Sequence, residues 1–200
     1  SNYTITYETA TLTVSATSQS TLTLTSTSGT YGTTLKLTTS GGSGTGAVSY
    51  STSSAGCSIT NTDSLTVTGA ITCSVTATKA ADSNYNSASS SATNVVFATR
   101  SITITAANKS ATYTGSTVSV SNSYTISSGT LVGSDTFTSL TYTYTSASPS
   151  YSSTTAPTAA GTYTITPSAA SGTGSSNYTI TYETATLTVS ATSQSTLTLT

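Results

Sequence analysis

The chain has 200 residues, of which roughly half are Ser or Thr and only 4% are charged, with no His, Met or Trp. An average domain carries roughly 25% charged residues, so this surface is unusually neutral. A formal net charge of −1 supplies no basic face for nucleic acid or an anionic membrane, and the lack of His removes the commonest general base.

Such a composition suits either a disordered mucin-like stalk or a folded β protein. The apolar residues favour the second, because they alternate with Thr along the chain at the period of two that marks half-buried strands. The pattern predicts an all-β fold. Residues 1–25, SNYTITYETATLTVSATSQSTLTLT, recur letter for letter as residues 176–200. An offset of 175 residues indicates a tandem array whose repeat holds one or two domains of roughly 100 residues. Within the doubled text, Tyr3, Ile5 and Tyr7 followed by Ala10, Leu12 and Val14 predict a hairpin with Glu8 and Thr9 at the turn. Tyr7 then faces Ala10, Ile5 faces Leu12 and Tyr3 faces Val14, with all six on one side. Glu-Thr is poor chemistry for a two-residue turn, which prefers Asn-Gly. A lone hairpin is marginal in water, so residues 1–15 are read as the closing hairpin of a preceding unit, with sheet partners upstream of Ser1.

Residues 16–98 predict a small β-sandwich with strands near 21–25, 33–38, 47–51, 57–60, 64–68, 71–78 and 93–98. The loop GGSGTG at 41–46 is not G-x-G-x-x-G and joins two strands, where a phosphate cradle needs a helix N-terminus. It reads as a flexible hairpin loop. Cys57 and Cys73 are the only cysteines, at a spacing unlike any zinc pattern. They predict a disulfide, with a pair of buried free thiols as the alternative. Residues 99–190 predict a second sandwich. Its strands lie around Ile102 and Ile104, Tyr113, Val118 and Val120, Tyr124 and Ile126, Leu140 to Tyr144, and Tyr163 and Ile165, closed by the second hairpin at 177–189. Residues 191–200 predict the first strand of a further sandwich.

The run YGTTLKLTTSGGSGTGAVSYSTSSAGCSITNTDSLTVTGAITCSVTATKAADSNYNSASS resembles bacterial Ig-like repeats with a Tyr-Gly start. The run beginning ITITAANKSATYTG and ending AAGTYTITPSAASGTGSSNYTITYETATLTV resembles the MBG domain of bacterial surface adhesins. In the MBG pattern a Tyr-Gly pair comes early, whereas here Tyr113, Thr114 and Gly115 carry an insertion. Together the resemblances imply tandem Ig-like antiparallel β-sandwich domains in a secreted, cell-surface protein. They imply an extracellular spacer or adhesive array and bring no catalytic residues.

The residues themselves point away from catalysis. Nucleophilic Ser needs a base, and there is neither His nor an S-x-x-K pattern. Asp63, Asp82 and Asp135 are spread singly through predicted loops, where they read as solvated turn residues rather than a paired-carboxylate site or a calcium loop. No enzyme activity, metal or cofactor is expected. Tyr3, Tyr7, Tyr113, Tyr142, Tyr144 and Tyr163 alternate with Thr and read as core, which leaves the loop tyrosines Tyr85 and Tyr151 as candidate contact residues. Lys109 and Asn177 are a weak candidate pair for a pilus-type cross-link, because such a bond needs a buried acid and Glu183 reads as solvated. The expected role is a structural segment of a surface fibre or adhesin stalk whose partners are neighbouring copies of the repeat. The alternative is a module that binds host or surface glycans, or ice, through Tyr and Thr faces.

Overall fold

A computed structural model describes residues 2–120 and 122–194. The chain divides into two compact units, one of Ser1–Gly29, Thr33–Val67 and Thr72–Val96, the other of Thr30–Gly32, Thr68–Ile71 and Phe97–Thr200. Both are built from β-strands. The one helical element among the described residues is the short 3-10 turn Ser175–Asn177.

The first part of the chain forms β1 (Thr23–Leu24), β2 (Ser28–Thr30), β3 (Leu35–Lys36), β4 (Thr39–Ser40) and β5 (Val48–Thr52). It continues with β6 (Cys57–Thr60), β7 (Ser64–Val67), β8 (Thr72–Lys79), β9 (Ala88–Ser89) and β10 (Thr93–Ala98). One sheet runs β2-β10-β8-β5 with β9 beside β8, a second runs β3-β7-β6, and β1 pairs with β4. β8 shows why these residues make a sandwich. Cys73, Val75 and Ala77 are fully buried while Thr72 and Ser74 face out, so the period-two pattern gives one apolar face. Leu22, Leu24, Leu37 and Leu65 are buried as well, and so is Val95, which lies beside Cys73 on the neighbouring strand β10. The loop at 41–46 is not a hairpin: it leaves β4, which pairs with β1, and enters β5, which pairs with β8.

The second unit holds β11 (Arg100–Ala106), β12 (Lys109–Thr112), β13 (Tyr124–Ser128) and β14 (Thr136–Ala147). β15 (Ser150–Ser153), β16 (Gly161–Thr173), β17 (Tyr178–Glu183) and β18 (Ala185–Ser190) follow. One sheet runs β13-β11-β17 and the other β12-β18-β16-β14-β15. Most pairs are antiparallel, but β17 lies parallel to β11 and β18 parallel to β12. Ala106, Val118, Val120, Tyr142, Tyr144, Tyr163, Ile165, Leu187 and Val189 form one buried cluster, with tyrosine rings supplying the bulk that Leu and Phe provide elsewhere. Val118 and Val120 reach this core from a segment without strand pairing, held where Val118 N–H donates to the Pro157 carbonyl and Val120 N–H to the Tyr144 hydroxyl.

The predicted hairpins do not form. Residues 2–14 carry no strand, and the identical text at 177–189 makes two strands that belong to different sheets. Without Asn-Gly the chain does not fold back on itself. It changes sheet at Thr184 instead, so β17 and β18 face the core from opposite sides. Tyr3 and Tyr7, expected in the core, are 88% and 86% exposed, and Tyr113, just past β12, is also exposed. Of the strand expected at 191–200, residues 195–200 lie outside the described residues and 191–194 carry no strand pairing.

Candidate functional site

The features that set the second unit apart converge on its closing strands. β17 adds to the edge of β11 with Arg100 opposite Tyr178 and, five residues on, Thr105 opposite Glu183. β18 is inserted between β16 and β12, where Tyr163 faces Leu187 and Gly161 faces Val189. Leu187 is fully buried and Val189 and Tyr178 nearly so. Glu183 stays in solvent, accepting hydrogen bonds from the hydroxyls of Thr105 (2.6 Å) and Ser127 (3.2 Å). A single short segment thus completes both sheets. Its backbone supplies the ladder bonds and its alternate side chains fill the core.

Where this segment begins, a half-buried polar anchor holds it. Asp135 Oδ2 accepts hydrogen bonds from the hydroxyls of Tyr178 (2.7 Å) and Tyr31 (2.9 Å), and the Tyr178 oxygen in turn accepts from the Val132 N–H (2.7 Å). The Tyr178 ring stands edge-on to those of Tyr31 and Phe137, each with centroids 5.8 Å away. Burial, and then the hydrogen bond to the Asp135 carboxylate, pushes the Tyr178 phenol up to about 12. Tyr31 is raised by the same two causes in the same order. Both phenols are therefore held neutral as donors, so the group reads as a structural clamp rather than a base or nucleophile. Gly174, at φ +73°, completes it. A Cβ there would overlap the Asp135 carboxylate.

Asp135 is thus a correction to the sequence reading: it is half-buried and holds two phenols rather than standing solvated in a turn. No local signal could have shown this, because its partners lie 104 and 43 residues away. Asp82 also has a definite task. It accepts from the backbone N–H groups of Asn84 and Tyr85 (2.9 Å each) and of Thr45 (2.6 Å), and from the Thr45 hydroxyl (3.2 Å). These bonds, led by the one from Asn84 and followed by that from Thr45, hold its carboxyl below the usual range. The Gly-rich loop at 41–46 is therefore stapled by a carboxylate, the wrong charge beside a phosphate.

Cys57 and Cys73 are bonded, with a Cα separation of 6.0 Å, and the bridge joins β6 of one sheet to β8 of the other. Tyr85 is half-buried and bridges to Thr17 beside the Asp82 staple. Tyr151 lies on β15 rather than in a loop, with its ring edge-on to Tyr163 at 5.6 Å and its hydroxyl donating to the Thr155 carbonyl (2.8 Å). The two tyrosines belong to different units. Lys109 donates to the Ser119 carbonyl, while Asn177 Oδ1 accepts from Ala70 N–H at 3.0 Å. Among the described residues no three His, Cys, Asp or Glu side chains cluster as metal ligands would.

A family model described as MBG domain (YGX type) matches residues 102–188. Comparison with curated proteins finds no match. The matched stretch runs from β11 into β18, and so takes in the core cluster apart from Val189, together with Asp135 and almost all of the closing segment.

Proposed function

We propose that this chain is a structural repeat segment of a long extracellular bacterial surface fibre or adhesin stalk, in which Ig-like and MBG-like sandwiches alternate. The doubled 25-residue text carries the reading, since its second copy is built into the core of a folded unit and a repeated core segment is the mark of an array. MBG domains occur in bacterial surface proteins, which supports a place outside the cell. The Cys57–Cys73 bridge suits an oxidising compartment. A neutral Thr-rich surface limits electrostatic attraction to unrelated molecules, and closely paired strands with buried tyrosines leave little backbone open to proteases.

Stretching the full chain in a single-molecule force experiment tests this role. A structural segment resists and then unfolds in discrete steps, with the unit at 99–190 releasing about 300 Å of chain. Smooth extension without steps would remove the mechanical argument. Antibody labelling of intact cells that make the protein tests the location, and labelling only after the cells are broken would overturn it. A glycan array and an ice-growth assay cover the alternative: specific binding there would make this a ligand-binding module.

A further inference from the structure

The stretch from Ser146 to Thr158 differs from the rest of the second unit. No charged residue stands between Asp135 and Glu183, and eight of the thirteen residues 146–158 are Ser or Thr, with two of the chain's three prolines among them. Hydroxyls interleaved with Pro and Ala are the composition of sugar-bearing stretches. This one holds the end of β14, the turn at Pro149, β15 and the irregular chain that follows. Its inner side is fixed. The Tyr151 ring stands edge-on to Tyr163, Pro157 is fully buried, and the Pro157 carbonyl accepts from the Val118 N–H at 3.0 Å. Its outer side carries Ser148, Ser150, Ser152, Thr154 and Thr158, all exposed. None of these hydroxyls makes a hydrogen bond among the described residues, whereas other surface hydroxyls are paired, as Thr25 is with Thr38 and Ser139 with Ser171.

β15 is also an edge strand. It pairs only with β14, so its outer backbone groups face water, and an edge of this kind is a template for pairing with other chains unless charge or bulk covers it. Charge does not, since the whole span from 136 to 182 has none. We propose that residues 146–158 are an O-glycosylation site, with Ser148, Ser150, Ser152, Thr154 and Thr158 as acceptors and an activated phosphosugar as donor. The acceptor oxygen attacks the anomeric carbon of the donor, and the glycosidic C–O bond forms as the bond from that carbon to the phosphate oxygen breaks. The phosphate leaves with the electron pair, the hydroxyl proton passes to the base of the transferase, and nothing is oxidised or reduced. Hydroxyls without a protein partner lose no internal hydrogen bond when they are substituted, and the fixed inner side leaves the core unchanged. The attached sugars then cover the open edge with bulk and bound water. This goes beyond the structural-segment role and does not depend on it.

The test is mass spectrometry of the protein isolated from the cells that make it, with electron-transfer fragmentation to keep each sugar on its residue. Fragments spanning 146–158 are expected to be heavier by whole sugar residues, placed on one or more of the named acceptors. Alkaline β-elimination is expected to release that mass, as it does for sugars on Ser or Thr and not for adducts on Lys109. The variant Ser148→Ala, Ser150→Ala, Ser152→Ala, Thr154→Ala and Thr158→Ala, made in the same cells, is expected to lose the added mass from this stretch. Residues 146–158 at their unmodified mass would overturn the proposal. So would sugars found only on hydroxyls outside the stretch, or an added mass on 146–158 that the variant retains. None of these results bears on unfolding in steps under force, so the structural-segment reading stands or falls separately.

Discussion

Leu12 and Leu187 sit in identical sequence, so truncating each in turn measures what tertiary burial alone contributes. Leu187 is fully buried opposite Tyr163, whereas Leu12 is 88% exposed. Burying a leucine stabilises by about 1.5–3 kcal/mol, and the cavity left by truncation raises the cost of core Leu→Ala changes to about 2–5 kcal/mol. Leu187→Ala should therefore destabilise the second unit by about 3 kcal/mol, near the middle of that range. With a urea dependence of about 2 kcal/mol per M, the unfolding midpoint falls by about 1.5 M. Leu12→Ala should stay within about 0.5 kcal/mol of the parent, as exposed substitutions do. Urea titration followed by tyrosine fluorescence reports this, because Tyr142, Tyr144, Tyr163 and Tyr178 are all buried in the second unit. Equal costs at the two positions would refute the assignment of the core place to the second copy. A large loss from Leu12→Ala alone would mean that residues 1–14 are the ones packed in the core.

Further outcomes follow from single groups. Cys57→Ser with Cys73→Ser removes a closed loop of about 15 residues and should lower the stability of the first unit by about 3 kcal/mol in the chain-entropy model, read as a lower urea midpoint. The neutral Tyr178 phenol is the form the fold favours, since its pKa is raised from 10.0 to about 12. Its contribution is thus complete below pH 10 and is lost as pH rises from there through about 12. Thermal melts across that window should show a fall in the melting temperature that Tyr178→Phe makes shallower, and a pH-independent melting temperature would contradict the clamp. Gly174→Ala places a Cβ at φ +73° against a carboxylate held by two phenols. Left-handed backbone alone costs about 1–2 kcal/mol, so a loss of at least that size is expected in the same urea assay.

The alternation of Val, Ile, Leu and Tyr with Thr was enough to place most strands, because a sheet with one buried face imposes a period of two on the sequence itself. Thus β6 at Cys57–Thr60, β8 at Thr72–Lys79 and β10 at Thr93–Ala98 lie where the pattern predicts them. The disulfide was legible as well, since two cysteines allow only one intrachain pairing. Period two cannot say which strand lies beside which, or whether the neighbour is parallel. The doubled text shows this limit most sharply, because identical letters are a seated strand pair at 178–190 and carry no strand at 3–15. Local propensity is the same for both copies, so the pairing at 178–190 comes from β11, β12 and β16, the strands beside which that copy lies. Asp135 is the other case. Nothing in its neighbourhood marks it as more than a turn residue, and its task comes from Tyr31 and Tyr178, which folding brings to it from 104 and 43 residues away. The sequence by itself determined where strands can form and which faces are apolar, since both are local properties of the chain. Which sheet each strand joins, and which copy of a repeated segment is buried, only the tertiary structure decided, because both depend on surfaces supplied by residues far away in sequence.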